Sequence, residues 1–169
     1  MAATIQIHEM SAADAGADKT SDVVRFKNAN DANVDSNNPM VIPDAATTYS
    51  FPKQLRAYME AAPAVQISNM RWYSDGAGSW GTSVGVLVKN IGTTYATQAT
   101  TPAIEGTADF FGKTSAAPLD GDTIDAGPFV PADDDTYIGD LILLQLSVTP
   151  SASQGSLSAE TVTLAYDEI

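Results

Sequence analysis

Between Val65 and Asn90 two apolar runs flank a segment made almost wholly of small and turn-forming residues. The first run is Val-Gln-Ile-Ser-Asn-Met-Arg-Trp-Tyr, and the second is Thr-Ser-Val-Gly-Val-Leu-Val-Lys-Asn. Asp75-Gly76 offers a residue pair that tolerates positive φ, and Gly78 and Gly81 permit a longer, bulged turn. The pattern predicts a β-hairpin. In the second arm Val84, Val86 and Val88 alternate with Ser83, Gly85 and Leu87, giving one apolar, β-branched face. In the first arm Val65 and Ile67 share a face, whereas Met70 and Trp72 fall one step out of phase. A bulge near Ser68-Asn69 brings both pairs to the core side.

The rest of the chain repeats this period of two. Ile138 to Thr149 is the strongest strand, with Ile142, Leu144, Leu146 and Val148 on one face. Leu141 and Leu143 load its other face, so its first half is expected to be buried on both sides. Thr161 to Asp167 places Val162, Leu164 and Tyr166 inward. Val23 to Lys27 reads as a strand with Val24 and Phe26 inward and Arg25 and Lys27 outward. Thr4 to His8 reads as a short edge strand, or an arm reaching a neighbouring subunit, with Ile5 and Ile7 on one face. Ser11 to Ser21 reads as a loop, and Thr93 to Ala99 as a short strand carrying Tyr95. Met40-Val41-Ile42 is a short extended piece, and Pro150 to Ser158 is a Ser/Gly loop. Ser50 to Ala62 fits either a helix, with Ser50 as N-cap, or a strand in which Leu55, Ala57 and Met59 face the core. Its β-rich surroundings favour the strand. Thr100 to Val130 has weak periodicity, four Gly and three Pro, with Phe110-Phe111 its one large apolar point. A structureless loop of that length suits either function or partial strand formation.

Seven or eight strands between Gly/Pro/Asn/Asp loops predict an all-β chain. The expected form is an antiparallel β-sandwich of jelly-roll type, with long loops and an N-terminal arm. Residues 1–169 form one domain, with 1–22 as the arm and its loop. Of the 21 acidic residues 16 are Asp and 5 are Glu, a balance that favours turns over helix surfaces.

Charge and composition narrow the function. With 8 Lys+Arg against 21 Asp+Glu the net charge is −13, which disfavours contact with nucleic acid or an anionic membrane. The absence of Cys removes disulfides, thiolate metal sites and a Cys nucleophile, and suits folding in a reducing cytosol. No apolar run reaches the length of a membrane span. The first residues lack the basic-then-apolar pattern of a signal peptide.

Chemistry-bearing patterns are sparse. His8 is the single histidine and has no Gly-x-Ser-x-Gly elbow to serve, so it reads as an exposed polar residue. Asp133-Asp134-Asp135 with Asp140, and Asp120-Gly121-Asp122 with Asp125, offer oxygens to Ca²⁺ but lack the EF-hand spacing, and read as solvated acidic turns. Trp72, Tyr73 and Trp80 suit either sugar stacking or, for Trp72, the core and, for Trp80, packing over the turn or a neighbouring subunit. The five Glu are too scattered to suggest a glycosidase pair. No cofactor, metal ligand set or catalytic residue is expected.

Several stretches together resemble structural proteins encoded in the head and tail gene clusters of tailed bacteriophages and prophages. They are Thr-Ile-Gln-Ile-His-Glu at Thr4–Glu9, Val24-Arg25-Phe26-Lys27, and Ser50 with Leu55-Arg56. To these add the run from Gln66 to Gly76 and the closing run from Thr161 to Glu168. The resemblance implies a non-enzymatic virion component. Its foremost form is an auxiliary decoration (cement) protein on the capsid exterior, trimeric and seated on the major capsid protein, made in the host cytoplasm. A tail or neck protein, or a carbohydrate-binding β-sandwich module, are the alternatives. The expected partner-binding residues are Ile5, Ile7, Trp80, Phe110 and Phe111.

Overall fold

The computed structural model describes residues 2–12, 15–75, 78, 80–96, 104 and 107–169. Among them the regular structure is β, with one 3-10 turn at Pro131–Asp133. The strands are β1 (Thr4–Ala12), β2 (Ala15–Asp18), β3 (Thr48–Tyr49), β4 (Lys53–Ala61) and β5 (Ile67–Ser74). They continue with β6 (Val84–Asn90), β7 (Ala108–Asp109), β8 (Thr136–Val148) and β9 (Val162–Glu168). Every pairing is antiparallel. Seven strands form one sheet in the order β2-β1-β4-β8-β6-β7, with β3 also on β8, and β5-β9 form a second sheet.

β8 is the axis of the large sheet. It pairs with β4 along one flank and β6 along the other. Its period-two pattern carries both faces, as the sequence predicts. Ile142, Leu144, Leu146 and Val148 enter the core, and Leu141, Leu143 and Gln145 are buried on the opposite side. The connection after β6 helps cover that opposite side. Gln54 donates to the Ala96 carbonyl at 2.6 Å and accepts from the Ala96 amide, and Ile104 donates to the Gln145 amide oxygen.

The segment open to helix or strand is a strand: β4 buries Leu55, Ala57 and Met59 and turns Arg56, Tyr58 and Glu60 the other way. The bulge at Ser68-Asn69 is present. The β5–β9 register shifts between Ser68 and Arg71, Asn69 takes φ 52°, and Ile67, Met70 and Trp72 are all fully buried.

The hairpin is not. β5 pairs with β9 and β6 pairs with β8, so the two arms lie in different sheets. Alternation reports which face of a strand is apolar, not which strand lies beside it, and β9 and β8 carry complementary apolar faces. The turn residues Gly76, Ala77 and Ser79 lie outside the described residues. Val65, expected inside, is 56% exposed in the bend before β5.

Three further readings change. Residues 11, 12 and 15–18 belong to the paired strands β1 and β2 rather than to a loop, and residues 13 and 14 lie outside the described residues. The arm reading of residues 1–22 gives way with it, because β1 is paired on both sides, by β2 and β4. Gly16 makes the β1–β2 pairing possible: a Cβ there would sit 2.2 Å from the Tyr137 hydroxyl and 2.8 Å from His8 Nδ1. Val23 to Lys27 joins no ladder. Val24 and Phe26 do pack on the core, but Lys27 is buried instead of facing outward. Thr93 to Ala96 is turn and coil, and residues 97–99 lie outside the described residues.

The second half of the 100–130 stretch runs along β5 as an irregular third lane. Ser74 donates to the Lys113 carbonyl, Trp72 and Leu119 exchange both backbone bonds, Met70 donates to Ala126, and Ile67 and Phe129 exchange both bonds. β5, β9 and this lane close the core over Trp72. The jelly-roll order is not observed; the architecture is a sandwich of a seven-stranded and a two-stranded sheet.

Candidate functional site

Among the described residues, the β6 flank of the large sheet is partly unpaired. There β7 pairs with β6 at Leu87 and Val88, and Phe110 adds one bond from its amide to the Val86 carbonyl. Backbone groups alternate in direction along an antiparallel strand. Thr149 donates to Ser83 and Ile91 donates to Leu141, so residues 83, 85, 87, 89 and 91 of this lane turn toward β8. Val84 and Val86 therefore turn outward. Among the described residues, neither the N–H nor the C=O of Val84 has a hydrogen-bond partner, nor does the Val86 N–H.

A shallow groove of about 500 Å³ runs along this edge, walled by Gly78, Gly81, Val84, Gly85, Asp109 and Phe111. Phe111 and Trp80 meet edge to face, with ring centroids 5.3 Å apart at 77°. The Trp80 indole N–H donates to the Ser158 carbonyl at 3.1 Å, which fixes the ring and uses the one polar group it would offer a sugar. The Glu160 carboxylate presses against Gly78, and the Asp109 carboxylate accepts from the Phe111 amide. Val84 also borders a second groove of about 360 Å³ beside Val41 and Leu157, both exposed.

Of the five partner-binding residues expected from the sequence, the structure joins two, Trp80 and Phe111. Phe110 is a core residue at 2% exposure and offers no surface. Its neighbour points the other way because they sit on successive positions of a tight turn. Ile5 and Ile7 are half-buried opposite Met59 and Ala57, packed on the core of their own sheet. They are three lanes from β6.

Two clusters escaped the sequence reading. In the first, Lys27 Nζ donates to Asp31 Oδ1 at 2.8 Å, Asp35 Oδ1 at 2.9 Å and the Asn33 carbonyl at 3.4 Å. The hydrogen bond to Asp31, then that to Asp35, raises the Lys27 pKa; the bond from Lys27 lowers those of Asp31 and Asp35. Beside it, Lys53 Nζ donates to buried Glu9 at 2.8 Å and to the Asp31 carbonyl. The signal was the Asp31-x-Asn33-x-Asp35 spacing, which resembles the opening of a Ca²⁺ loop but has Ser36 where such a loop needs Gly. Here the cation in the loop is the chain's own ammonium.

In the second, His8 is buried rather than exposed. Its ring stacks on Tyr58 at 4.7 Å, meets Tyr137 edge-on, and bonds Tyr137 and Gln6. Burial lowers its pKa, against the pull of Asp18 and Glu60. The Tyr58 hydroxyl donates to Asp135, which pushes its pKa up to about 12. The remaining acidic candidates serve turns: Asp133 accepts from Val130, Asp120 from Asp122, and Asp140 from Asn90 and Asp125. Among the described residues no three His, Cys, Asp or Glu side chains are grouped to hold a metal ion, and no helix is long and apolar enough to cross a membrane.

No family model, curated protein or solved structure matches this chain.

Proposed function

We propose that the protein is a non-enzymatic virion component of a tailed bacteriophage, decorating and stabilising the outside of the capsid as a trimer on the major capsid protein. The observation that carries this reading is where the resembling stretches sit. Thr4–Glu9 lies in β1 and Leu55-Arg56 in β4, its partner. The stretches from Gln66 and from Thr161 supply β5 and β9, which pair with each other. Four of the five resembling stretches therefore fall on the paired framework, and the fifth, Val24–Lys27, joins no ladder but packs Val24 and Phe26 on the core. Four of the eight cationic side chains, Lys19, Lys27, Lys53 and Arg71, are spent on carboxylates of the same chain, which supports a structural role.

The test is analytical ultracentrifugation of the purified protein followed by titration onto expanded capsid shells. A trimer that binds in a saturable ratio of one per local three-fold axis supports decoration. A ring that ignores the shells moves the protein to the tail or neck, and a monomer that binds neither overturns the virion reading.

A further inference from the structure

We infer that the open flank of β6 is a strand-acceptor site, and that its occupant is an extended, positively charged segment of a different protein.

The first observation is backbone chemistry. Val84 turns both its polar groups, and Val86 its N–H, away from β8 into the groove. Sheets leave such groups as a template for another strand, and folded proteins ordinarily blunt them with Lys, Pro, a bulge or a covering loop. Val84-Gly85-Val86 carries none of the first three, and the ladder to β7 ends at Leu87, next to Val86. An added strand would meet Val84 first and run out at Phe110, whose amide already holds the Val86 carbonyl.

The second observation is the shape of the wall. Gly78 has no room for a Cβ, which would lie 2.4 Å from the Glu160 carboxylate and 2.7 Å from the Phe111 ring. The small residues keep one side of the groove low, while Phe111, braced by Trp80, stands as an apolar side wall for alternate side chains of the incoming strand.

Charge selects the occupant. The groove is bordered by Asp109 and Glu160, and among the described residues no Lys or Arg lines it. The chain as a whole carries −13, so a second copy would bring like charge to an acidic rim. A foreign segment alternating Lys or Arg with small apolar residues meets the rim with opposite charge and the wall with apolar surface. This reading goes beyond the virion assignment and stands whether or not that assignment holds.

The probe is a capped peptide, Lys-Val-Lys-Val-Lys-Val, with Glu-Val-Glu-Val-Glu-Val as its charge-reversed twin. Amide NMR and Trp80 fluorescence read the binding. The expected result is saturable binding of the basic peptide with shifts centred on Val84, Gly85 and Val86, and at least tenfold weaker binding of the acidic twin. Val84→Pro removes the outward donor without touching the ladder to β8, and should abolish the shifts. Asp109→Asn with Glu160→Gln keeps the side-chain shapes, removes the rim charge and should weaken the basic peptide several-fold while flattening its salt dependence. This double variant decides the matter if Val84→Pro fails to fold. Equal binding of the two peptides, shifts located elsewhere, or no saturation would overturn the proposal. So would a self-associated protein whose oligomer Val84→Pro dissolves, since the occupant would then be a second copy.

Discussion

The inner face of the large sheet is covered at two ends by two different chemistries. At one end β5, β9 and the lane from Lys113 to Phe129 lie over it with Ile67, Met70, Trp72, Leu119 and Phe129, all buried. At the other end the segment between Asp22 and Tyr49 lies over it with few apolar anchors: Val24, Phe26, Met40 and Ile42. That cover is held by two ammonium groups. Lys27 gathers Asp31, Asp35 and the Asn33 carbonyl, and Lys53 ties the sheet's Glu9 to the Asp31 carbonyl. Apolar cover is indifferent to direction and to pH. Ionic cover is directional, is lost when one partner changes charge, and leaves a buried charge behind when one partner is deleted.

The largest expected loss is at the apolar end. Trp72→Ala should destabilise the protein by roughly the upper part of 3–5 kcal/mol, because a fully buried ring leaves a cavity that β5 and β9 cannot close. Chemical denaturation measures it. A loss under about 1 kcal/mol would show that the small sheet contributes little to the core. Trp72 Nε1 has no hydrogen-bond partner among the described residues. Trp72→Phe should therefore cost distinctly less than Trp72→Ala, since it also removes a buried unsatisfied donor.

Next comes Lys53→Met, expected to cost on the order of 3 kcal/mol because Glu9 is left buried and uncompensated. One Glu9 oxygen already lacks a partner among the described residues. Adding Glu9→Leu should recover much of that loss, and a double-mutant cycle reads the coupling. Additive losses would mean that the pair does not act as a unit.

The smallest effect is a matter of pH. The folded pKa values of Asp31 and Asp35 lie below the ordinary 3.8, lowered first by the bond to Lys27. Their contribution is complete above 3.8 and is lost as pH falls through the lowered values. Lys27 has the opposite sign: its raised pKa keeps the contribution below 10.5 and loses it as pH rises beyond the raised value. Hydrogen-exchange protection at Asn33 and Asn37, whose amides donate to Asp31 and Asp35, should fall in acid before protection at Trp72 does. Simultaneous loss would show that the two covers open together.

The apolar end was the legible one. Period-two runs marked β8 and β9, the β-rich surroundings tipped β4 from helix to strand, and the phase slip between Ile67 and Met70 located the bulge. What alternation leaves out is pairing, so β5 and β6 read as one hairpin when each had a distant partner. The ionic end was illegible for another reason. Lys27 follows Val24 and Phe26 at strand spacing, and a lysine in such a pattern is expected outside. Its burial depends on carboxylates four and eight residues later, on a loop that no period describes. The open flank of β6 was equally hidden, because an edge is defined by the strand that is missing beside it. Trp80, read as a stacking or packing residue, and Phe111, half of the one large apolar point between Thr100 and Val130, do meet at that flank.

β8 holds the sheet together by pairing with β3, β4 and β6, and every one of these precedes it in the chain. β9, the hydrogen-bonded partner of β5, comes later still. A polypeptide emerging from the ribosome therefore has no neighbour for β3 or β4 on that flank until residue 136 has appeared. The ladders that can form early are those of β1 with β2 and with β4. Assembly of the native state is thus a late, long-range event, of the kind that proceeds slowly and leaves unpaired strands exposed in the meantime. The 16 aspartates and −13 charge then act as a solubilising coat for the unfinished chain, keeping growing copies apart before the last strands close.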